Sequence, residues 1–325
     1  MRTVHNAHFL ASFNPQQQTL ISERASASFS DYLTLCKPRI VLLMLITSSV
    51  GMLLASVHTV PWLALLVGNT GIALCAFAAA AVNHVVDYRL DAKMLRTRQR
   101  PVAAGKVSPP NALLMAAVLG VAGFSCLHVF INPLTAWLTL LALLGYAVIY
   151  TAFLKRATTQ NIVIGGLAGA MPPLLGWVAV TGAMAPQAWL LVLIIFLWTP
   201  PHFWALALAR DAEYRLIDLP MLSVVYGREV TGLHAFVYSL LLALTCMLPV
   251  AIGMSGLLYA VAAALLNLYF VCRCWQMWKR FSERLAMRVF WDSINYLFAI
   301  FIALLLDHAL TLAGWNLIIT PGGLI

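Results

Sequence analysis

The chain has 325 residues, 62% of them hydrophobic and only 10% charged, with 20 Lys and Arg against 11 Asp and Glu for a net charge of +9. A water-soluble domain carries roughly a quarter charged residues, and a mean hydropathy of +0.89 leaves more apolar side chains than a soluble core can bury. Uncharged runs such as 40–57 and 188–209 identify the solvent as a bilayer, so the excess of basic residues reads as cytoplasmic loops rather than as a nucleic-acid surface.

Residues 1–35 are polar, rich in Gln, Ser and Ala, and lack the apolar stretch of a secretory signal, so they read as a flexible cytoplasmic N-terminal arm. A spanning helix needs roughly 20 mostly apolar residues. On that measure residues 36–315 form one nine-helix transmembrane domain, with spans near 40–57, 62–86, 111–131, 134–154, 161–181, 188–209, 231–253, 256–272 and 290–312. Residues 316–325 are left as a short tail outside. Four breaks between spans carry turn residues and no Lys or Arg: His58 to Pro61, Asn132 with Pro133, Thr181 to Pro186, and Gly253 to Gly256. The N-terminal segment to Arg39, Arg89 to Lys106, Lys155 with Arg156, Arg210 to Arg228, and Arg273 to Arg288 hold every basic residue of the chain. Charged and uncharged breaks alternate strictly, which places the N-terminus and the four charged loops in the cytoplasm and the C-terminus outside. The six cysteines include no CxxC pair and read as packing residues.

The chemistry concentrates in the loop after the second span, from Asn83 to Pro101. If the helix continues past the membrane core, Asn83, Asp87 and Asp91 stand at i, i+4 and i+8 along one face. Like charges at that spacing repel, and acids at a bilayer edge are costly unless paired or facing a water-filled cavity. A divalent cation resolves the conflict: Mg²⁺ takes oxygen ligands, typically one or two carboxylates plus substrate phosphate. Lys93, Arg96, Arg98 and Arg100 follow, suited to an anionic phosphate ligand. Taken singly, these cations are equally ordinary orientation signals.

A second acidic loop, from Arg210 to Gly227, carries Asp211, Glu213 and Asp218 directly after the sixth span. These acids would supply a second set of metal ligands for a substrate with two phosphates. They also alternate with Arg210 and Arg215, so a solvated helix end accounts for them as well.

The NxxxDxxxD of Asn83, Asp87 and Asp91 resembles the first aspartate-rich motif of the UbiA superfamily of intramembrane prenyltransferases. Further strings are similar to the branch of that superfamily that farnesylates haem: KPRI from Lys37, Met94 to Pro101, Tyr150 to Trp177, TPPHFWALA from Thr199, and PML with SVVYG over Pro220 to Gly227. The second motif departs from the usual pattern, with Glu213 where Asp is usual, Asp218 where Gly is usual and Ser223 where Pro is usual. Glu keeps the charge with a longer reach.

The resemblance implies an all-α polytopic membrane fold, nine transmembrane helices around a central cavity, in the manner of UbiA prenyltransferases. It implies transfer of the farnesyl group of farnesyl diphosphate to a vinyl group of haem B, with addition of water, giving haem O for haem–copper oxidases. On this reading Mg²⁺ is the cofactor, held by Asp87, Asp91, Asp211 and Glu213, with Asn83 in the catalytic set. Lys37, Lys93, Arg96, Arg100, Tyr150, Lys155 and Arg156 would bind the diphosphate. His202 is the first candidate for contact with haem iron or propionate and His84 the second. Haem A synthase and haem–copper oxidase assembly proteins are the implied partners, alongside the lipid bilayer, with no nucleic acid.

His58, His128 and His308 fall at the outer side, and Asp307 reads as a local pair with His308. Asn161, Gly165, Gly166 and Gly169 read chiefly as close helix packing in the fifth span, which Pro172 and Pro173 bend. A UbiA relative acting on an aromatic quinone precursor is the closest alternative. A transporter would place its acids near the midplane on broken helices rather than at one face, and a non-catalytic oxidase assembly factor leaves the two acidic loops without a purpose.

Overall fold

The structure is a computed structural model that describes residues 27–57, 59–215, 220–314, 319–320 and 323–324, with the side chains of Ala152, Arg156 and the last four of these residues left aside. His58 and Asp218 lie outside the described residues.

Helix α1 (Phe29–Leu35) opens on a capping box: the Asp31 amide donates to the Ser28 hydroxyl oxygen at 3.2 Å, and the Ser28 amide donates back to the Asp31 carboxylate at 3.0 Å. Leu35 is fully buried beside Ala78, Ala81, Val102 and Val107. The arm expected as far as residue 35 is therefore corrected: it gives way to a helix at Phe29, because the cap satisfies the first turn and Leu35 gains apolar neighbours. Helix α2 (Pro38–Leu54) follows at a 48° bend.

Helix α3 (Ala64–Asp91) starts with a π-helical turn over Ala64–Gly68 and runs unbroken to the second carboxylate. Helix α4 (Pro109–Phe130) begins at Ser108, whose hydroxyl accepts from the Asn111 amide at 3.4 Å, and Pro109 sits where no intrahelical donor is needed. Helix α5 is Pro133–Leu144, capped by Asn132, and continues through a π-helical stretch, Gly145–Leu154, to Lys155–Ala157. Helices α6 (Asn161–Ala170) and α7 (Pro172–Thr181) are one span broken at Met171, where Pro172 and Pro173 bring no N–H groups.

Helix α8 (Pro186–Ala209) leads into the short α9 (Asp211–Arg215). Helix α10 (Leu222–Ala251) is kinked at Gly227, whose φ of 79° suits only a residue without Cβ. Helices α11 (Leu257–Lys279) and α12 (Glu283–Leu312) complete the bundle, and two antiparallel two-residue strands, β1 (Ile319–Thr320) and β2 (Gly323–Leu324), pair in the tail. Among the described residues eight helices are long and apolar enough to cross a bilayer, and nine when α1 and α2 count as one bent span, which matches the predicted number.

Helix α8 lies at the centre, packed by α6, α10 and α12. Its Trp198 indole donates to the Ser293 carbonyl of α12 at 2.7 Å. Helices α2 and α7 approach so closely that a Cβ on Gly51 would sit 2.1 Å from the Pro173 carbonyl oxygen, and one on Gly176 would sit 2.0 Å from that of Ser48. Asp307 is not paired with His308. It caps α11 instead, accepting from the Gly256 amide at 2.6 Å and the Tyr259 amide at 3.1 Å, while the His308 ring bonds the Ser56 carbonyl at 3.1 Å. Two free amides at a helix N-terminus attract a carboxylate more strongly than an adjacent imidazole does.

Gly176→Ala must push two backbones apart, so it is expected to lower stability by about 1–3 kcal/mol. Thermal unfolding of the detergent-solubilised protein checks this, with Gly169→Ala, a position that has open space for a Cβ, as the neutral comparison.

Candidate active site at the basic end of the bundle

The end of α3 meets the α1–α2 joint and the end of α5. Asn83, Asp87 and Asp91 lie along one face of α3, all buried, with Asp87 2% and Asp91 5% exposed. Helical spacing alone would make this repulsive, and each charge is answered by a cation from another part of the chain. Lys155 Nζ lies 2.6 Å from Asp87 Oδ2, and Arg100 Nη1 donates to both Asp91 oxygens at 2.8 and 2.7 Å. The Asn83 amide donates to Asp87 Oδ2 at 2.8 Å, and its own oxygen accepts from the Lys37 ammonium. The result is a continuous chain, Lys37–Asn83–Asp87–Lys155.

Local structure explains how these cations arrive. Lys37 is the sole non-glycine residue among those described with positive φ, at 48°, and it immediately precedes Pro38. Such a conformation costs roughly 1–2 kcal/mol, and here it turns the chain between α1 and α2 where Lys37 bonds Asn83. Arg100 comes from the turns after α3, which Thr97 pins by donating its hydroxyl to the Asp91 carbonyl at 3.0 Å. Lys155 closes the π-helical stretch of α5. The Asn161 amide at the start of α6 donates to the Lys155 carbonyl at 3.1 Å and reaches the Pro220 carbonyl at 3.4 Å, tying the two loops together.

Tyr150 stacks on Tyr146 with ring centroids 5.6 Å apart and lies within electrostatic reach of Asp87 and of Tyr214 on α9. A Cβ on Gly165 would fall 2.3 Å from the Tyr150 ring, so the glycine is what lets that ring pack against α6. Burial raises the Tyr214 phenol above its ordinary value, with Arg96 acting against it, so it remains a protonated donor.

The other expected residues divide. The Lys93 side chain is exposed: α3 ends at Asp91, and the residues that follow form turns that no longer continue its face. Arg96 is exposed. The side chain of Arg156 lies outside the described residues. Glu213 accepts from Arg210 at 2.6 Å and Asp211 from Arg215 at 2.7 Å, the local pairs of a helix end. Among the described residues no three His, Cys, Asp or Glu side chains gather closely enough to hold a metal, so the four-carboxylate cluster expected of Asp87, Asp91, Asp211 and Glu213 is not assembled here. Each acid is engaged by its own cation instead. Sequence reasoning missed Tyr146 and Thr97. The spacing of Tyr146 four residues before Tyr150 was the available signal, and Thr97 offered none.

His202 sits away from this cluster. Its ring stacks between Trp198 and Phe290, with centroids at 4.2 and 4.6 Å, and its Nδ1 lies 2.6 Å from the Ser293 hydroxyl. That hydroxyl donates its one hydrogen to the Phe290 carbonyl at 2.6 Å, so Nδ1 carries the ring proton and donates to Ser293, leaving the Nε2 lone pair.

Among the described residues three buried carboxylate oxygens have no hydrogen-bond partner: Asp87 Oδ1, Asp211 Oδ1 and Glu213 Oε2. Bare buried oxygens on hard ligands suit Mg²⁺, which takes one or two protein carboxylates and completes its shell with phosphate and water. Asp87 with Asp91 fits that donor set as a site shared with a diphosphate.

Residues 44–319 match the UbiA prenyltransferase family, and the chain belongs to it. A protoheme IX farnesyltransferase from Azotobacter vinelandii is 58% identical over 295 residues, covering 90% of this chain and 99% of that one. Among solved structures, a digeranylgeranylglyceryl phosphate synthase shares the fold with a TM-score of 0.73 at 18% identity, covering 86% of this chain and 98% of that one. A UbiA homologue from Archaeoglobus fulgidus, bound to GPP and Mg²⁺, does so with a TM-score of 0.64 at 15% identity, covering 84% and 99%.

Lys155→Met strands the Asp87 charge and is expected to lower the melting temperature, whereas Lys155→Met combined with Asp87→Asn restores most of it. The double-mutant cycle should give a coupling of about 1–3 kcal/mol. Additive losses would mean that the two side chains do not support one another.

Proposed function

We propose that this chain is a farnesyltransferase that moves the farnesyl group of farnesyl diphosphate onto a vinyl group of haem B, with addition of water, to give haem O. The observation that carries the reading is the buried, cation-held pair Asp87 and Asp91 at the mouth of an apolar bundle, in a chain of this family with relatives of that name.

Diphosphate leaves slowly until its growing charge is neutralised. Asp87 and Asp91, with Asp211 and Glu213 as further donors, would hold Mg²⁺, which would supply positive charge to the leaving diphosphate. Lys155, Arg100 and Lys37 already point their donors at the oxygens of this cluster. They are poised to pass from carboxylate to phosphate oxygens when the substrate enters, each new bond being charge-assisted. Donors fixed in advance cost little reorganisation at the moment of reaction, which is what makes such a site effective. Arg96, Tyr150 and Tyr214 add donors from the flank. Lys93 and Arg156 add positive charge that draws the anion to the mouth.

Ionisation leaves an allylic cation. The apolar helices keep water away while its C1 bonds to the terminal carbon of the vinyl group, and the new cation beside the porphyrin then takes one water and releases a proton. His202 presents its Nε2 edge as a haem contact, its ring orientation set by Ser293, Trp198 and Phe290. The basic end faces the cytoplasm of a bacterial inner membrane, on the positive-inside argument. Residues 36–315 act as one catalytic domain around a central cavity, with the N-terminal arm in the cytoplasm and the tail in the periplasm. Haem A synthase or oxidase assembly proteins take the product onward.

Incubating the purified protein with haem B, farnesyl diphosphate and Mg²⁺ and weighing the extracted porphyrins tests this. Haem O is expected, at a rate lowered ~100-fold or more in Asp87→Asn with Asp91→Asn. Prenylation of an aromatic quinone precursor in place of haem would overturn the assignment.

A further inference from the structure

His84, one residue after Asn83 on α3, is 2% exposed, and neither of its ring nitrogens has a hydrogen-bond partner. An imidazole carries at least one N–H in either protonation state, so a buried donor here always lacks an acceptor. Such a group is costly and calls for an explanation. The ionised groups that act on it are Lys37 and Arg100, both of them donors, and their other bonds run to Asn83 and Asp91. What His84 lacks is therefore an oxygen acceptor, in a place where two cations also attract negative charge.

We propose that His84 donates an imidazole N–H to a phosphate oxygen of the prenyl diphosphate, and so belongs to the diphosphate site rather than to haem. This rests on the reading of the Asp87–Asp91 cluster as that site. Asn83, Asp87 and Asp91 hold one side of the ligand through oxygens and metal. His84 supplies a neutral donor from the same helix, one residue after Asn83. Asn161 Oδ1 and Asp87 Oδ1 are also bare and buried, but both are acceptors. Among the described residues of this cluster His84 is the one with a buried donor unmet.

The test uses the full chain in detergent, with inorganic diphosphate and Mg²⁺ followed by calorimetry, and haem B followed by its Soret band. His84→Leu is expected to weaken diphosphate binding about tenfold, the range for a hydrogen bond to a charged group, with haem affinity unchanged. His84→Gln, which keeps an N–H, regains most of the diphosphate affinity. Because Leu removes both unmet nitrogens, the ligand-free melting temperature should hold or rise, separating lost binding from lost folding. Unchanged diphosphate affinity in His84→Leu, or weakened haem binding instead, overturns the proposal. Failure of the wild-type protein to bind diphosphate at all overturns the site reading beneath it.

Discussion

Two carboxylates one helical turn apart, buried at the end of a membrane helix, are the constraint on which the rest of the site depends. Asp87 and Asp91 cannot both be ionised there without compensation. The bundle brings two cations to them, Arg100 from the loop after α3 and Lys155 from the end of α5, while Lys37 from the α1–α2 joint bonds the Asn83 side chain that in turn donates to Asp87. Those ion pairs do more than neutralise charge. They fix the relative placement of segments that are far apart in the chain, and they leave donors aimed where a phosphate can replace a carboxylate.

Several irregular features serve this arrangement. Lys37 holds a left-handed backbone, α5 unwinds into a π-helical stretch before Lys155, and Gly165 yields its side-chain volume to the Tyr150 ring. Asn161 ties the Lys155 carbonyl to the second acidic loop. None of these is favoured locally, since π-helical segments and positive φ both cost energy. They persist because close packing elsewhere, such as α2 on α7 through Gly51 and Gly176, holds the bundle rigid.

The span count and the position of the acids were legible because both rest on short-range regularities. The long uncharged runs give the number of spans, and the i, i+4, i+8 spacing of Asn83, Asp87 and Asp91 follows from helix geometry alone. The partners of those acids were less legible. Nothing local says that Lys37 bonds Asn83 or that Lys93 faces away, because both depend on where α3 stops and how the chain turns afterwards. Thr97 acts through its hydroxyl on a carbonyl that any sequence has. Glu213 and Asp211 look the same as ligands or as ordinary helix-end pairs, and in the ligand-free chain they are the latter, each with one bare oxygen. The start of the first helix rests on the capping box of Ser28 and Asp31, two residues that polar composition does not set apart from the segment before them.

An experimental structure of the full chain with an uncleavable farnesyl diphosphate analogue and Mg²⁺ tests the central claim most directly. The account predicts that Lys155 and Arg100 release their carboxylates and bond phosphate oxygens, while Asp87 and Asp91 turn to the metal. Both ion pairs intact, with the diphosphate seated elsewhere, would contradict it.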